Sequence, residues 1–412
     1  MSERWSHQES HRSLRCRTAK RNHRVGQEYE SPAGPVKCQL WSPVADPSGT
    51  CHTPAVSPVQ PALLLRFPAL QGRLPHRSFL SGPTPVEPLQ IGGLEGVRLL
   101  VKRDDRCCPS YGGNKPRKLE FVIGSCLERG VRRLVTIGGL GTNHGLATTI
   151  LGREAGLATT LLLVDQPVTE KVRESLLLFT AYGAEVVHAR NIPGTALQGI
   201  RILLRSRLRG ERPALVPAGG SNVEGTLGFV SAAFELAEQI QVGNLESPSE
   251  IYLPVGTGGT YAGLALGLRL AGIPTRVIGV LVTDILPPSP ARLARAARAA
   301  LRRLRRADPS IPELALGPGD FPVTTGQVGP GYGASTPAAE QAVRAALDAD
   351  LDLETTYTGK CLADIRDRAR RGALGEGPIL FWNTFSSVDV KQPAPRPLDP
   401  AELPGSLRRL FE

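Results

Sequence analysis

Methionine is almost missing from this chain: Met1 is the only one in 412 residues. Lysine is scarce as well, 8 against 41 arginines, so the formal net charge of +11 rests on Arg. That Arg is spread over the whole chain, which marks compositional bias and not a concentrated nucleic-acid face. The seven cysteines contain no C-x-x-C pair and are odd in number, arguing against a zinc site and an oxidised framework. A reducing compartment fits. Five of the seven histidines precede residue 80, leaving His144 and His188 for the body of the chain, so no metal centre is expected. Long apolar runs are absent too. An 18-residue uncharged stretch, Ile251 to Leu268, carries Pro254 and five glycines and cannot form a continuous bilayer helix. No apolar leader segment precedes the acidic residues Glu3, Glu9, Glu28 and Glu30, so a cytoplasmic protein without membrane association is expected.

What remains is 41% hydrophobic and 21% charged, enough for two domains with buried cores. Residues 1–60 are rich in Arg, His, Ser and Pro without apolar periodicity and read as a disordered basic extension. From Val97 onward, short β-rich runs alternate with helical-period segments. Strands are expected at Val97–Lys102, Arg133–Ile137, Thr159–Val164, Glu185–His188, Ala214–Val216, Ile251–Val255, Arg276–Val282 and Ile379–Trp382. Leu119, Val122, Ile123, Cys126 and Leu127 make one apolar helical stripe among the intervening segments. This alternation predicts an α/β fold with parallel, helix-covered sheets. Ala291–Arg306 has seven arginines around an Ala and Leu frame and reads as a solvated surface helix. Without interleaved aromatics for base stacking, nucleic acid is not the expected partner.

Three stretches can carry chemistry. In Tyr111-Gly112-Gly113-Asn114-Lys115-Pro116-Arg117-Lys118-Leu119-Glu120, Pro116 suits a first helical position, so Lys115 is expected to project from a loop just ahead of a helix. Gly112 and Gly113 allow close approach of a flat cofactor or of backbone. Gly138-Gly139-Leu140-Gly141-Thr142-Asn143-His144-Gly145 follows a strand and opens a helix. So does Gly256-Thr257-Gly258-Gly259-Thr260, whose N–H groups and hydroxyls make a phosphate cup. Neither loop fits the P-loop or dinucleotide fingerprint, and no G-x-S-x-G nucleophile elbow occurs. A mounted lysine beside glycine loops suggests a phosphate-bearing cofactor held as a Schiff base.

At this point the residues become familiar. Gly112 to Glu120 resembles the cofactor-lysine motif of the 1-aminocyclopropane-1-carboxylate deaminase and D-cysteine desulfhydrase family. Its members are pyridoxal phosphate enzymes of the tryptophan-synthase β-like fold (fold type II). Gly219-Gly220-Ser221-Asn222 with Gly225 and Gly228, the 256–260 loop, Val328-Gly329-Pro330-Gly331-Tyr332-Gly333 and Tyr357-Thr358-Gly359-Lys360 follow in family order, and the likeness spans about residues 78 to 390.

The resemblance implies that Lys115 holds pyridoxal 5'-phosphate and moves the substrate α-proton. Lys118 and Gly256, Thr257, Gly258, Gly259 and Thr260 would take the phosphate, and Asn143 the ring oxygen edge. Thr142 stands at the substrate-carboxylate position, and Tyr332 and Tyr357 match two active-site tyrosines. Thr358 stands where the deaminase branch has Glu, offering the pyridine nitrogen a neutral hydrogen bond, which suits β-elimination better than ring opening. His144 is expected to pack or hydrogen-bond inside the helix. Gly141, Leu146 and the run Trp382-Asn383-Thr384-Phe385 depart from the family pattern.

The expected architecture is a large domain over 61–117 and 226–400, a small domain over 118–225 inserted in it, and a tail over 401–412. The expected activity is α,β-elimination from a small amino acid, foremost D-cysteine, by a homodimer. Three alternatives stand beside it: 1-aminocyclopropane-1-carboxylate deamination, β-replacement of the cysteine-synthase type, and a non-enzymatic cofactor- or nucleic-acid-binding protein.

Overall fold

The computed structural model describes residues 59–243 and 245–412. All but the last two residues of the expected N-terminal extension lie outside that range.

Ten strands run through the described chain: β1 (Val86–Pro88), β2 (Leu99–Lys102), β3 (Arg133–Gly139), β4 (Ala158–Val164), β5 (Glu185–Arg190), β6 (Pro213–Val216), β7 (Glu250–Val255), β8 (Arg276–Leu281), β9 (Val323–Thr324) and β10 (Ile379–Trp382). Eight of them coincide with the expected runs. The other two, β1 and β9, have three and two residues, too short for alternation to mark them.

The strands form two sheets, one in the order β1-β2-β10-β7-β8-β9 and one in the order β5-β4-β3-β6. Every pairing is parallel except β1 with β2. Parallel strands need helical crossovers and are covered on both faces, which explains the fully buried runs of β7 and β10. The second sheet draws only on residues 133–216; the first uses the flanking segments. The helices Asn114–Glu128 and Val223–Gln241 lie where the chain passes between the two sets of strands. They pack closely because Gly228 has no side chain: a Cβ there would stand 2.0 Å from the Arg117 carbonyl oxygen.

The arginine-rich segment forms the helix Pro290–Ala307, capped by Ser289 and started by Pro290. Here the structure corrects the sequence reading. The arginines do not surround the helix: Leu293, Ala294, Ala297, Ala300, Leu301 and Leu304 make one buried face. The Ala residues alternate with Arg at helical spacing, so the small side chains turn inward together.

Candidate active site

The helix bearing Lys115 begins at Asn114, two residues before Pro116. Lys115 therefore sits within the first turn and not in a loop ahead of it. Proline is tolerated there because first-turn N–H groups have no intrahelical partner. Gly112 and Gly113 serve backbone packing. A Cβ on Gly112 would stand 1.7 Å from the Asp105 carbonyl oxygen, and one on Gly113, whose φ is 79°, 2.4 Å from that of Thr384.

A buried ion network anchors the same turn. Arg117 donates to Asp104 Oδ1 at 2.7 Å and to Glu235 Oε2 at 2.8 Å. Lys102 Nζ donates to Glu235 Oε1 at 2.6 Å, and Trp382 Nε1 to Asp104 Oδ2 at 2.6 Å. Two cations meet two carboxylates, so the charges balance in a dry setting. Trp382 thus has a structural use at the end of β10.

Lys115 Nζ donates to Asn114 Oδ1 at 2.7 Å, and Asn114 Nδ2 donates to Thr260 Oγ1 at 3.0 Å. Asn114 thereby ties the amine to the 256–260 loop. Burial lowers the Lys115 pKa to about 8, although the negative charge of Glu354 works in the opposite direction.

Lys118, one turn further along, is 2% exposed. Its ammonium donates to the Gly219 carbonyl and to Ser221 Oγ, and no carboxylate pairs with it among the described residues. Burial and the neighbouring Lys115 charge hold its pKa well below normal. A Cβ on Gly259 would stand 3.0 Å from Lys118 Nζ and 2.7 Å from Ser221 Oγ. Gly259 opens the helix Gly259–Leu270, whose first turn has no side-chain cap. Gly258, in the left-handed conformation at φ 89°, turns the chain into it. Thr257 Oγ1 hydrogen-bonds Ser221 Oγ. A desolvated cation without a counter-charge, uncapped N–H groups and two hydroxyls together fit a phosphate group.

Two tyrosines, Tyr332 and Tyr357, stand with their hydroxyls 2.6 Å apart. Burial raises the pKa of both, so each stays protonated at neutral pH. Tyr357 also faces the phosphate loop, since a Cβ on Gly256 would lie 3.4 Å from its ring. Thr358 is fully buried at the start of the helix Thr358–Arg370. The carboxylate of Glu354 caps that helix, accepting from the Tyr357 and Thr358 N–H groups at 2.8 and 2.9 Å. Its Oε1 is 3.3 Å from the Thr358 hydroxyl. No motif in the sequence marks Glu354; its only signal is a carboxylate four residues before a helix start.

The third wall is the loop after β3. Thr142 Oγ1 accepts from the Gly145 N–H at 3.2 Å and so caps the helix Asn143–Glu154, leaving its own O–H free to donate. Asn143 is partly exposed, and its carbonyl accepts from Tyr111 OH at 3.2 Å. His144 turns into the core against Thr136 Oγ1 at 3.1 Å. The carboxyl ends of β3 and β7, the start of the Lys115 helix and the two tyrosine loops therefore converge on one place, as binding sites of parallel sheets do.

The chain matches the family model described as "Pyridoxal-phosphate dependent enzyme" over residues 77–384. It is 31% identical over 324 residues to the D-cysteine desulfhydrase of Salmonella typhimurium, covering 76% of this chain and 94% of that protein. Against the D-cysteine desulfhydrase of Klebsiella pneumoniae it is 33% identical over 322 residues, with 76% and 94% covered. A crystal structure of an ACC deaminase homologue superposes with a TM-score of 0.65 at 26% identity, over 79% of this chain and 95% of that one. A fungal L-serine ammonia-lyase from Rhizomucor miehei has a TM-score of 0.51 at 17% identity, over 75% and 96%, a likeness of fold alone. With the paired lysines, the uncapped glycine loop and a match across three quarters of its length, this chain belongs to the pyridoxal-phosphate dependent enzyme family.

Proposed function

We propose that the protein is a lyase that converts D-cysteine and one water to pyruvate, sulfide and ammonia. The observation that carries this reading is the placement of Lys115 and Lys118 on one helical turn, both desolvated and neither paired with a carboxylate among the described residues. Two lysines in that state serve different ends: Lys118 with residues 256–260 holds phosphate, and Lys115 is free to bind and to move a proton. When bound, pyridoxal phosphate supplies an electron sink for the charge left on the substrate α-carbon. The Lys115 amine, with its pKa near 8, takes the α-proton. The hydrogen-bonded pair of Tyr332 and Tyr357, both held protonated, donates its one free proton to the departing sulfur. Thr142 and Asn143 orient substrate and ring, while Thr358, with Glu354 behind it, contacts the ring nitrogen. The names of the relatives support D-cysteine as the substrate.

The same reading takes the protein as a cytoplasmic homodimer, divided near residues 117 and 225 into a large and a small domain. The test is pyruvate and sulfide release from D-cysteine by the purified protein, beside Lys115→Ala. Turnover lost in the variant together with the visible absorption band is the expected result. Release from 1-aminocyclopropane-1-carboxylate with none from D-cysteine would replace this substrate assignment with the deaminase alternative.

A further inference from the structure

Lys360 has no part in the site assembled above, yet it is fully buried three residues beyond Tyr357. Its place is costly on two counts. Burial desolvates the ammonium, and the first turn of the helix Thr358–Arg370 turns the positive end of the helix dipole toward it. The Glu354 and Asp284 charges favour the cation only from a distance, and no carboxylate pairs with it among the described residues. What it meets instead is backbone. Nζ donates to the Val328 carbonyl at 2.8 Å, and the Gly331 carbonyl lies 3.5 Å away. Both carbonyls belong to the loop that leads into Tyr332. That loop has little stiffness of its own, since Gly329, Gly331 and Gly333 all have positive φ. A second grip comes from Asp284, three residues beyond β8, whose Oδ1 accepts from the Tyr332 N–H at 2.8 Å. A Cβ on Gly331 would stand 3.0 Å from Asp284 Oδ2. The cation takes the carbonyls and the carboxylate takes the N–H, so both ties are charge-assisted.

We propose that Lys360 and Asp284 are positioning residues that clamp the Tyr332 loop and so hold the Tyr332 hydroxyl in its hydrogen bond with Tyr357. The two tyrosines are 25 residues apart and share no helix or strand. Lys360 is the side chain that joins them, rooted on the helix that Tyr357 precedes and bonded to the backbone ahead of Tyr332. A pair that passes on one proton works only while its oxygens stay together, and a loosened loop would part them. The inference rests on the tyrosine pair as proton donor in elimination but not on D-cysteine in particular.

The experiment uses the holoenzyme and two variants. Lys360→Met keeps an unbranched side chain of similar length and removes its donors. Asp284→Ala changes an exposed residue, so the clamp can still be tested if Lys360→Met does not fold. Crystal structures of both should show the Tyr332 and Tyr357 oxygens no longer within hydrogen-bond distance; a hydrogen bond kept in both would overturn the proposal whatever the substrate. In solution, each variant should lower kcat for pyruvate release about tenfold or more, with KM within about twofold of wild type. Exchange of the substrate α-proton for deuterium, the step given to Lys115, should continue at the wild-type rate. Added to Tyr332→Phe, either change should cost nothing further. Unchanged kcat, exchange lost along with elimination, or losses that multiply with that of Tyr332→Phe would each overturn the clamp. Hydroxyls parted in the variants of an enzyme that leaves D-cysteine intact would sink the D-cysteine reading alone and uphold the clamp.

Discussion

The hydroxyl oxygens of Tyr332 and Tyr357 lie 2.6 Å apart, with the rings edge to face at 76° and centroids 6.0 Å apart. One hydroxyl must donate to the other, so the second proton is the one free to leave the pair. That makes the tyrosines a unit. Tyr357→Phe should lower kcat for elimination about 100-fold, in the range of a lost general acid. The visible spectrum should be preserved. The double variant Tyr332→Phe with Tyr357→Phe should be scarcely worse than the poorer single one, because groups acting together lose function non-additively. Steady-state pyruvate release measures this; multiplying losses would mean the hydroxyls act separately.

Lys115 gives a prediction in pH. An amine attacks an aldehyde only as the free base. Burial lowers the Lys115 pKa to about 8, against about 10.4 for an exposed lysine. Capture of pyridoxal phosphate by cofactor-free protein should therefore accelerate as pH rises through a midpoint near 8. The Glu354 charge supports the ammonium, so Glu354→Gln should move the midpoint lower still. Stopped-flow absorbance across pH 6 to 10 reads both. A midpoint raised in the variant would contradict the assigned sign.

Much of this site could be read from the chain alone because its key residues cluster in sequence. The Lys115–Lys118 turn declares itself by Gly112, Gly113 and Pro116, and the loops at 138–143 and 256–260 by glycine at the end of a strand. Glu354 does not: it lies outside the motifs and reaches the site only through folding, by capping the turn that presents Tyr357. The Asp104, Arg117, Glu235 and Trp382 cluster was equally hidden, since its members are up to 278 residues apart. The arginine-rich helix shows the reverse error, where charge count obscured a buried Ala and Leu face.

Lys118 should govern preference for the phosphorylated aldehyde. Its ammonium is buried beside the Gly259 turn and has no carboxylate partner among the described residues. A charge-assisted hydrogen bond lost to phosphate amounts to roughly 10- to 100-fold in affinity. Lys118→Met should thus weaken pyridoxal phosphate by about that factor and leave pyridoxal nearly unaffected. Absorbance titration of the two aldehydes decides it. Equal weakening of both would give Lys118 a role in holding the helix and none at the phosphate.

The ion network under the Lys115 turn should impose an acid limit on stability. Burial would raise the Glu235 carboxyl, but the Arg117 and Lys102 charges outweigh it and hold the pKa at about 2. An unfolded glutamate titrates near 4.3. Between those values the unfolded chain binds the extra proton, so the stabilisation is present above about pH 4.3 and fades as pH falls toward 2. At pH 7 Glu235→Gln leaves two buried cations facing Asp104 alone. Breaking one partner of a buried pair costs about 3–5 kcal/mol. Urea unfolding should therefore place the variant that far below wild type at pH 7, with the gap narrowing at pH 3, where the unfolded glutamate of the wild type takes up a proton that folded Glu235 does not. A gap that stays constant from pH 7 to pH 3 would mean that the loss comes from packing around position 235 and not from its charge.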